Sequence, residues 1–212
     1  MKRAVVVLTL AALTTACIVK RTTHTLYLES DGSVTWAALE QDVHSDCQDL
    51  AECAGEEQGF LDALAAGEHP LALALRDLGG SDVSAVLLRG RRPFEVRASA
   101  RFQSLEVLAR ALLEGFGIPG TAALGVNDGV WTLRIVVRVD EISEGDDDQG
   151  LTALVEDADA YRLIASSARF VDARGFDIED DGRSVRLDLP ADDEVAERGG
   201  ELELSLSWVE GQ

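Results

Sequence analysis

Residues 94–102 alternate with a period of two. Phe94, Val96, Ala98, Ala100 and Phe102 are apolar, while Glu95, Arg97 and Arg101 stand between them. A helix would scatter that order around its circumference. A strand sorts it onto two faces. The same period recurs twice. Trp131, Leu133, Ile135, Val137 and Val139 share one face, with Arg134 and Arg138 on the other, and Leu202, Leu204, Leu206 and Trp208 form a last alternating run. One-sided alternation points to antiparallel sheets with one wet face, because strands of a covered parallel sheet are apolar throughout.

Turn chemistry joins these strands. Asp31-Gly32, Asp128-Gly129 and Asp181-Gly182 each interrupt alternating runs. Asp-Gly accepts the positive φ angles of a two-residue hairpin turn. For the first hairpin, residues 24–43, such a turn predicts Tyr27 opposite Trp36 and His24 opposite Leu39. Helices are fewer. Ser104 can cap a helix starting at Leu105, with Glu106 and Arg110 paired at i,i+4 and Gly115, Gly117 and Pro119 at its end. Residues 56–67 and 70–80 read as two helices broken before Pro70, the second stopped by Gly79-Gly80, and residues 151–160 as a short helix. Strands and helices mix without a βαβ rhythm. The expected fold class is therefore α+β, mainly an antiparallel β-sheet of hairpins with two to four packed helices. Residues 143–150 read as a charged loop inside the domain.

The first residues carry an address. Lys2 and Arg3 precede 13 uncharged residues, 4–16. A helix of that length rises about 20 Å, short of the ~30 Å hydrocarbon core of a bilayer. A short apolar run after a basic flank fits a signal peptide. Thr14, Thr15 and Ala16 lead directly into Cys17. This arrangement resembles the lipobox of bacterial lipoproteins, although Thr14, and not Leu13, stands three residues before the cysteine. The resemblance implies cleavage before Cys17, a diacylglycerol on its thiol and acylation, palmitate for example, of the new amine. Two or three chains hold a protein at a membrane where one does not. Ordinary cleavage after Ala16 and an uncleaved anchor are the alternatives. The implied organisation is a signal peptide over 1–16, a lipidated Cys17 and tether over 17–22, and a single α+β domain over 23–212. By the sorting rule of such lipoproteins, Ile18 after the cysteine favours the periplasmic side of the outer membrane.

Charge narrows the partners. The 212 residues carry 39 acidic against 19 basic side chains, net −20, and loss of Lys2 and Arg3 leaves 17 basic against 39. Such a surface repels phosphates, so no nucleic acid is expected.

Candidate chemistry is sparse. With Cys17 acylated, Cys47 and Cys53 remain as an even pair in an exported chain. Within one continuous helix their Cα atoms would lie ~9 Å apart, too far to bridge, so a disulfide requires a loop or break across residues 45–54. Free thiols and a zinc site from His44, Cys47 and Cys53 are the alternatives, the latter without a fourth obvious ligand. His24, His44 and His69 form no short pair and read as surface or strand-end residues. No metal or other cofactor is expected. Two acidic segments offer oxygen ligands for calcium, Asp140, Glu141, Glu144 and Asp146–Asp148 in one, Asp177 and Glu179–Asp181 in the other. Neither has the spacing of a calcium loop, and solvated acids are the commoner case. Arg89, Arg91, Arg92, Arg97 and Arg101 concentrate positive charge, which neighbouring carboxylates would pair.

The whole layout is similar to bacterial lipoproteins of high-GC genomes, in which a lipidated cysteine precedes a strand, a "DG" turn and a strand like residues 26–46. That resemblance carries no catalytic residue, and no hydrolase or nucleotide-binding motif is present. The expected function is a membrane-anchored envelope lipoprotein with a non-enzymatic binding or structural role toward an envelope protein. A carrier of a small ligand or lipid, held between sheet and helix after Ser104, is the alternative, and a hydrolytic enzyme the third.

Overall fold

The computed structural model describes residues 18–47, 49–138, 158–187 and 201–210. It is α+β, as the patterning required. Eleven strands are described, β1 (Ile18–Leu28), β2 (Val34–Ser45), β3 (Ser81–Arg89), β4 (Phe94–Phe102), β5 (Gly120–Asn127), β6 (Val130–Arg138), β7 (Ala158–Ala165), β8 (Ala168–Arg174), β9 (Phe176–Ile178), β10 (Ser184–Leu187) and β11 (Glu201–Glu210). Three helices accompany them, α1 (Leu50–Ala66), α2 (Pro70–Asp77) and α3 (Leu105–Gly115). The strands form a seven-stranded sheet, β3-β4-β2-β1-β7-β10-β9, and a four-stranded sheet, β5-β6-β11-β8.

The first hairpin differs from expectation by one residue. Glu29 N–H donates to Ser33 O and Gly32 N–H to Glu29 O, with Gly32 at φ +79°, so three residues span the turn. The Asp31 carboxylate accepts from Ser33 N–H at 3.0 Å. A three-residue loop ending in a left-handed glycine is the next hairpin in frequency. It sets Tyr27 opposite Thr35, Leu26 opposite Trp36 and His24 opposite Ala38. Tyr27 and Trp36 are therefore not partners; Tyr27 is on the wet face and Trp36 is buried. Asp128-Gly129 is the two-residue turn expected, with both residues at positive φ. Asp181-Gly182 instead sits inside a four-residue loop between Glu179 and Ser184.

Three further expectations change. β1 begins at Ile18, opposite Ser45, so residues 18–22 are paired strand and not a tether. The segment expected as a helix over 151–160 ends as strand, since β7 opens at Ala158; its earlier residues lie outside those described. β7 adds to β1 in parallel, whereas every other ladder among the described strands is antiparallel. Pairing along the open edge of β1 outweighs the local preference of an alanine-rich stretch.

The alternating runs face inward as read. Phe94, Val96, Ala98, Ala100 and Phe102 are all buried, as are Leu133, Leu204, Leu206 and Trp208. α1 starts earlier than expected because Asp49 accepts from Ala51 and Glu52 N–H. α2 lays Leu71 and Leu75, both fully buried, against the β3–β4 half of the large sheet. Gly79 takes φ +83° after it, and a side chain on Gly80 would stand 2.6 Å from Leu75 O, so the stop at Gly79-Gly80 is steric as well as conformational. α3 lies between the sheets, against β4 on one side and β5 and β6 on the other. One hydrophobic cluster runs through both sheets, α2 and α3.

Candidate functional site

Ser104 begins the site. Its hydroxyl accepts from Val107 N–H at 3.2 Å and fixes where α3 starts. Leu105, Leu108, Ala109 and Leu112 then fall at i, i+3, i+4 and i+7, one face of the helix. That face is not flush with the sheets. A cleft of about 170 Å³ remains beneath it. Leu26, Leu163 and Val185 of the large sheet line one side, and Leu133, Ile135 and Leu206 of the small sheet the other. A dry cavity of ~150 Å³ lined by such side chains holds a benzene-sized guest. The cleft is of that order.

An aromatic chain fixes one wall. Trp36 Nε1–H donates to His24 Nδ1 at 2.9 Å, and the two rings meet edge to face. His24 in turn stacks on Tyr161 at 4.7 Å with rings 7° apart. Trp36 and His24 are buried, so the indole donor needs this acceptor. Tyr161 carries the chain into the cleft lining. Burial pushes its phenol up to about 12, so the Tyr161 hydroxyl stays neutral. Arg162, next in sequence, also lines the cleft and pairs with Glu179.

No family model matches the chain. No curated protein matches it either. A solved structure, the NMR structure of the folded domain of the LppM protein of Mycobacterium tuberculosis, aligns with 95% of this chain and 95% of its own. The identity is 13% and the TM-score 0.39.

The histidines expected at the surface divide. His44 is half-buried, but His24 and His69 are fully buried. None of the three lines the cleft under α3. His69 belongs to an ionic cluster that was not anticipated. Its Nε2–H donates to Glu40 Oε2 at 2.9 Å, and Lys20 Nζ stands 2.8 Å from Glu40 Oε1. Glu40 is wholly buried, and Phe60 of α1 packs edge-on against His69. Burial alone would raise the Glu40 carboxyl. The hydrogen bond from His69 and the Lys20 charge outweigh that and hold it below the usual carboxylate range. The signal was available: Val34, Trp36 and Ala38 alternate inward, and Glu40 is next in that series.

The cysteines sit where a break was required. Cys47 is in the loop before α1 and Cys53 in its first turns, with Cα atoms 5.5 Å apart and sulfurs in bonding contact. That span lies within the bridging range. His44 does not join them: among the described residues no three His, Cys, Asp or Glu side chains gather as a metal site. A bridge closing so short a loop should contribute about 2 kcal/mol. Unreduced protein should therefore resist alkylation at both thiols, and Cys53→Ser should unfold at lower urea concentration; two thiols alkylated without reductant would refute the bridge.

The arginine stripe is largely paired. Arg89 stands 3.8 Å from Glu95, Arg92 is 3.1 Å from Glu57, and Arg101 pairs with Asp31. Arg92 also donates to Ser45 O at 2.9 Å, joining the β3–β4 turn to the end of β2. Of the acidic segments, residues 140–148 lie outside those described, as do residues 1–17 with Cys17. In the other, Glu179 pairs with Arg162 and Arg186 and accepts from Ser184, and Asp181 accepts from Arg183 N–H at 2.8 Å. Those two carboxylates already have partners. Among the described residues no helix is long and apolar enough to cross a membrane.

Proposed function

We propose that this chain is a lipoprotein of the bacterial envelope, anchored through Cys17, that binds a small apolar ligand beneath α3 and catalyses no reaction. The cleft is the observation that carries the binding role. A helix with an apolar stripe ordinarily buries it fully. Here about 170 Å³ is left open at the junction of α3 with two sheets, lined mainly by aliphatic and aromatic side chains, with the half-buried Tyr161 phenol and Arg162 as its polar members. Few polar groups in an apolar enclosure orient a ligand without reacting with it. The anchor reading is supported by the uncharged run before Cys17 and by the paired Cys47 and Cys53. On that reading the body stands on the periplasmic side of the outer membrane.

One experiment addresses each half. Cells expressing the protein are labelled with palmitate, and Cys17→Ser should abolish incorporation; label that survives refutes the anchor. Ala109→Phe places a ring of about the cleft's size into the cleft. Binding of an environment-sensitive apolar fluorophore should fall at least tenfold while the melting temperature holds or rises. Unchanged binding refutes the cleft as the site.

A further inference from the structure

A second cavity, about 180 Å³, adjoins the cleft at the first turn of α3, and Leu105 lines both. Its chemistry is different. Trp131 and Trp208, cross-strand partners on β6 and β11, stack with centroids 6.5 Å apart and rings 10° from parallel. The lining also includes three carboxylates, Glu29 and Asp31 of the β1–β2 loop and Glu210 at the end of β11. No basic residue lines it. Asp31 is paired with Arg101, and Glu29 accepts from Ser166 at 3.2 Å. Glu210 makes no ion pair among the described residues, so the rim keeps net negative charge.

We propose that this cavity receives the cationic head of an amphiphile whose apolar part lies in the cleft, an ammonium-bearing amphiphile in chemical class. The inference rests on the cleft being a ligand site. Indole is the best aromatic partner for an ammonium, and carboxylates beside it add charge complementarity. An anionic head would face the same three carboxylates at a cost. Size agrees. Each cavity alone is smaller than an ordinary ligand pocket, whereas together they reach roughly 350 Å³, within the usual ~300–1,000 Å³.

The test is calorimetric titration of the full chain carrying Cys17→Ser with three ligands of one chain length: octyltrimethylammonium, octanol and octanoate. The ammonium compound should bind about tenfold more tightly than octanol, and octanoate least. Glu210→Gln, at an exposed strand end, and Trp131→Phe should each reduce the preference for the ammonium compound over octanol. Equal affinity for all three ligands overturns the head-group assignment and leaves the cleft standing. A preference that persists unchanged in both variants overturns its placement at this cavity. Failure of every ligand to bind, with the fold intact by circular dichroism, overturns the cleft reading and this one with it.

Discussion

Truncation of Trp36 to alanine should lower the unfolding free energy by about 3–5 kcal/mol. Trp36, on β2 beside the central strand of the large sheet, is 2% exposed and packs on Phe102. Its removal leaves a cavity and strips His24 Nδ1 of its 2.9 Å donor, so an unpaired acceptor is added to the lost packing. Trp36→Phe separates the two effects. It keeps most of the apolar volume but not the donor, and should cost about 1–3 kcal/mol. Because His24 stacks on Tyr161, Trp36→Ala should also weaken ligand binding in the cleft in proportion to the freedom gained by Tyr161. Urea unfolding of both variants measures the costs; equal costs would show that the hydrogen bond dominates over packing.

The second large effect is at Glu40. Breaking a buried ion pair by removing one partner costs about 3–5 kcal/mol, because the other charge stays buried. Glu40→Leu would leave Lys20 and His69 facing an apolar side chain, and should be destabilising on that scale. Replacing all three by Met, Leu and Phe at positions 20, 40 and 69 should recover most of the loss, since no charge remains to be paired. The pH dependence follows from the Glu40 carboxyl being held below its ordinary 4.5. A depressed carboxylate contributes stability above the unfolded value and loses it as pH falls through the folded one. Wild type should therefore lose stability below about pH 4.5 more steeply than the triple variant. Parallel pH profiles for the two would exclude Glu40 as a source of acid sensitivity.

Much of the fold was legible along the chain. The inward faces of β4, β6 and β11, the cap at Ser104 and the stop at Gly79-Gly80 all came from periodicity and local turn chemistry, which neighbouring residues decide. The first hairpin shows the limit. Directly opposed residues of an antiparallel pair share a face, and a slip of one residue reverses every side chain. His24, Leu26 and Leu28 alternate inward, which sets Tyr27 outward and makes it incompatible with an inward Trp36. Alternation contained the correction; the Asp-Gly dipeptide concealed it, because the same dipeptide serves two-, three- and four-residue loops here.

The site was less legible. The apolar stripe of α3 could be read from its spacing, but the gap under it depends on how far two separate sheets hold the helix from contact, a distance no local pattern encodes. The Lys20–Glu40–His69 cluster joins residues far apart in sequence, and the Trp131–Trp208 pair is more distant still.

By itself the sequence determined the inward faces of β4, β6 and β11, the cap at Ser104, the stop at Gly79-Gly80 and the net negative charge, because each depends on residues adjacent in the chain or on their sum. The tertiary structure decided the parallel docking of β7 on β1, the pairing of buried Glu40 and His69 with half-buried Lys20, and the two cavities that share Leu105. Those depend on which distant segments become neighbours, and burial is what makes their polar atoms and unfilled volume consequential.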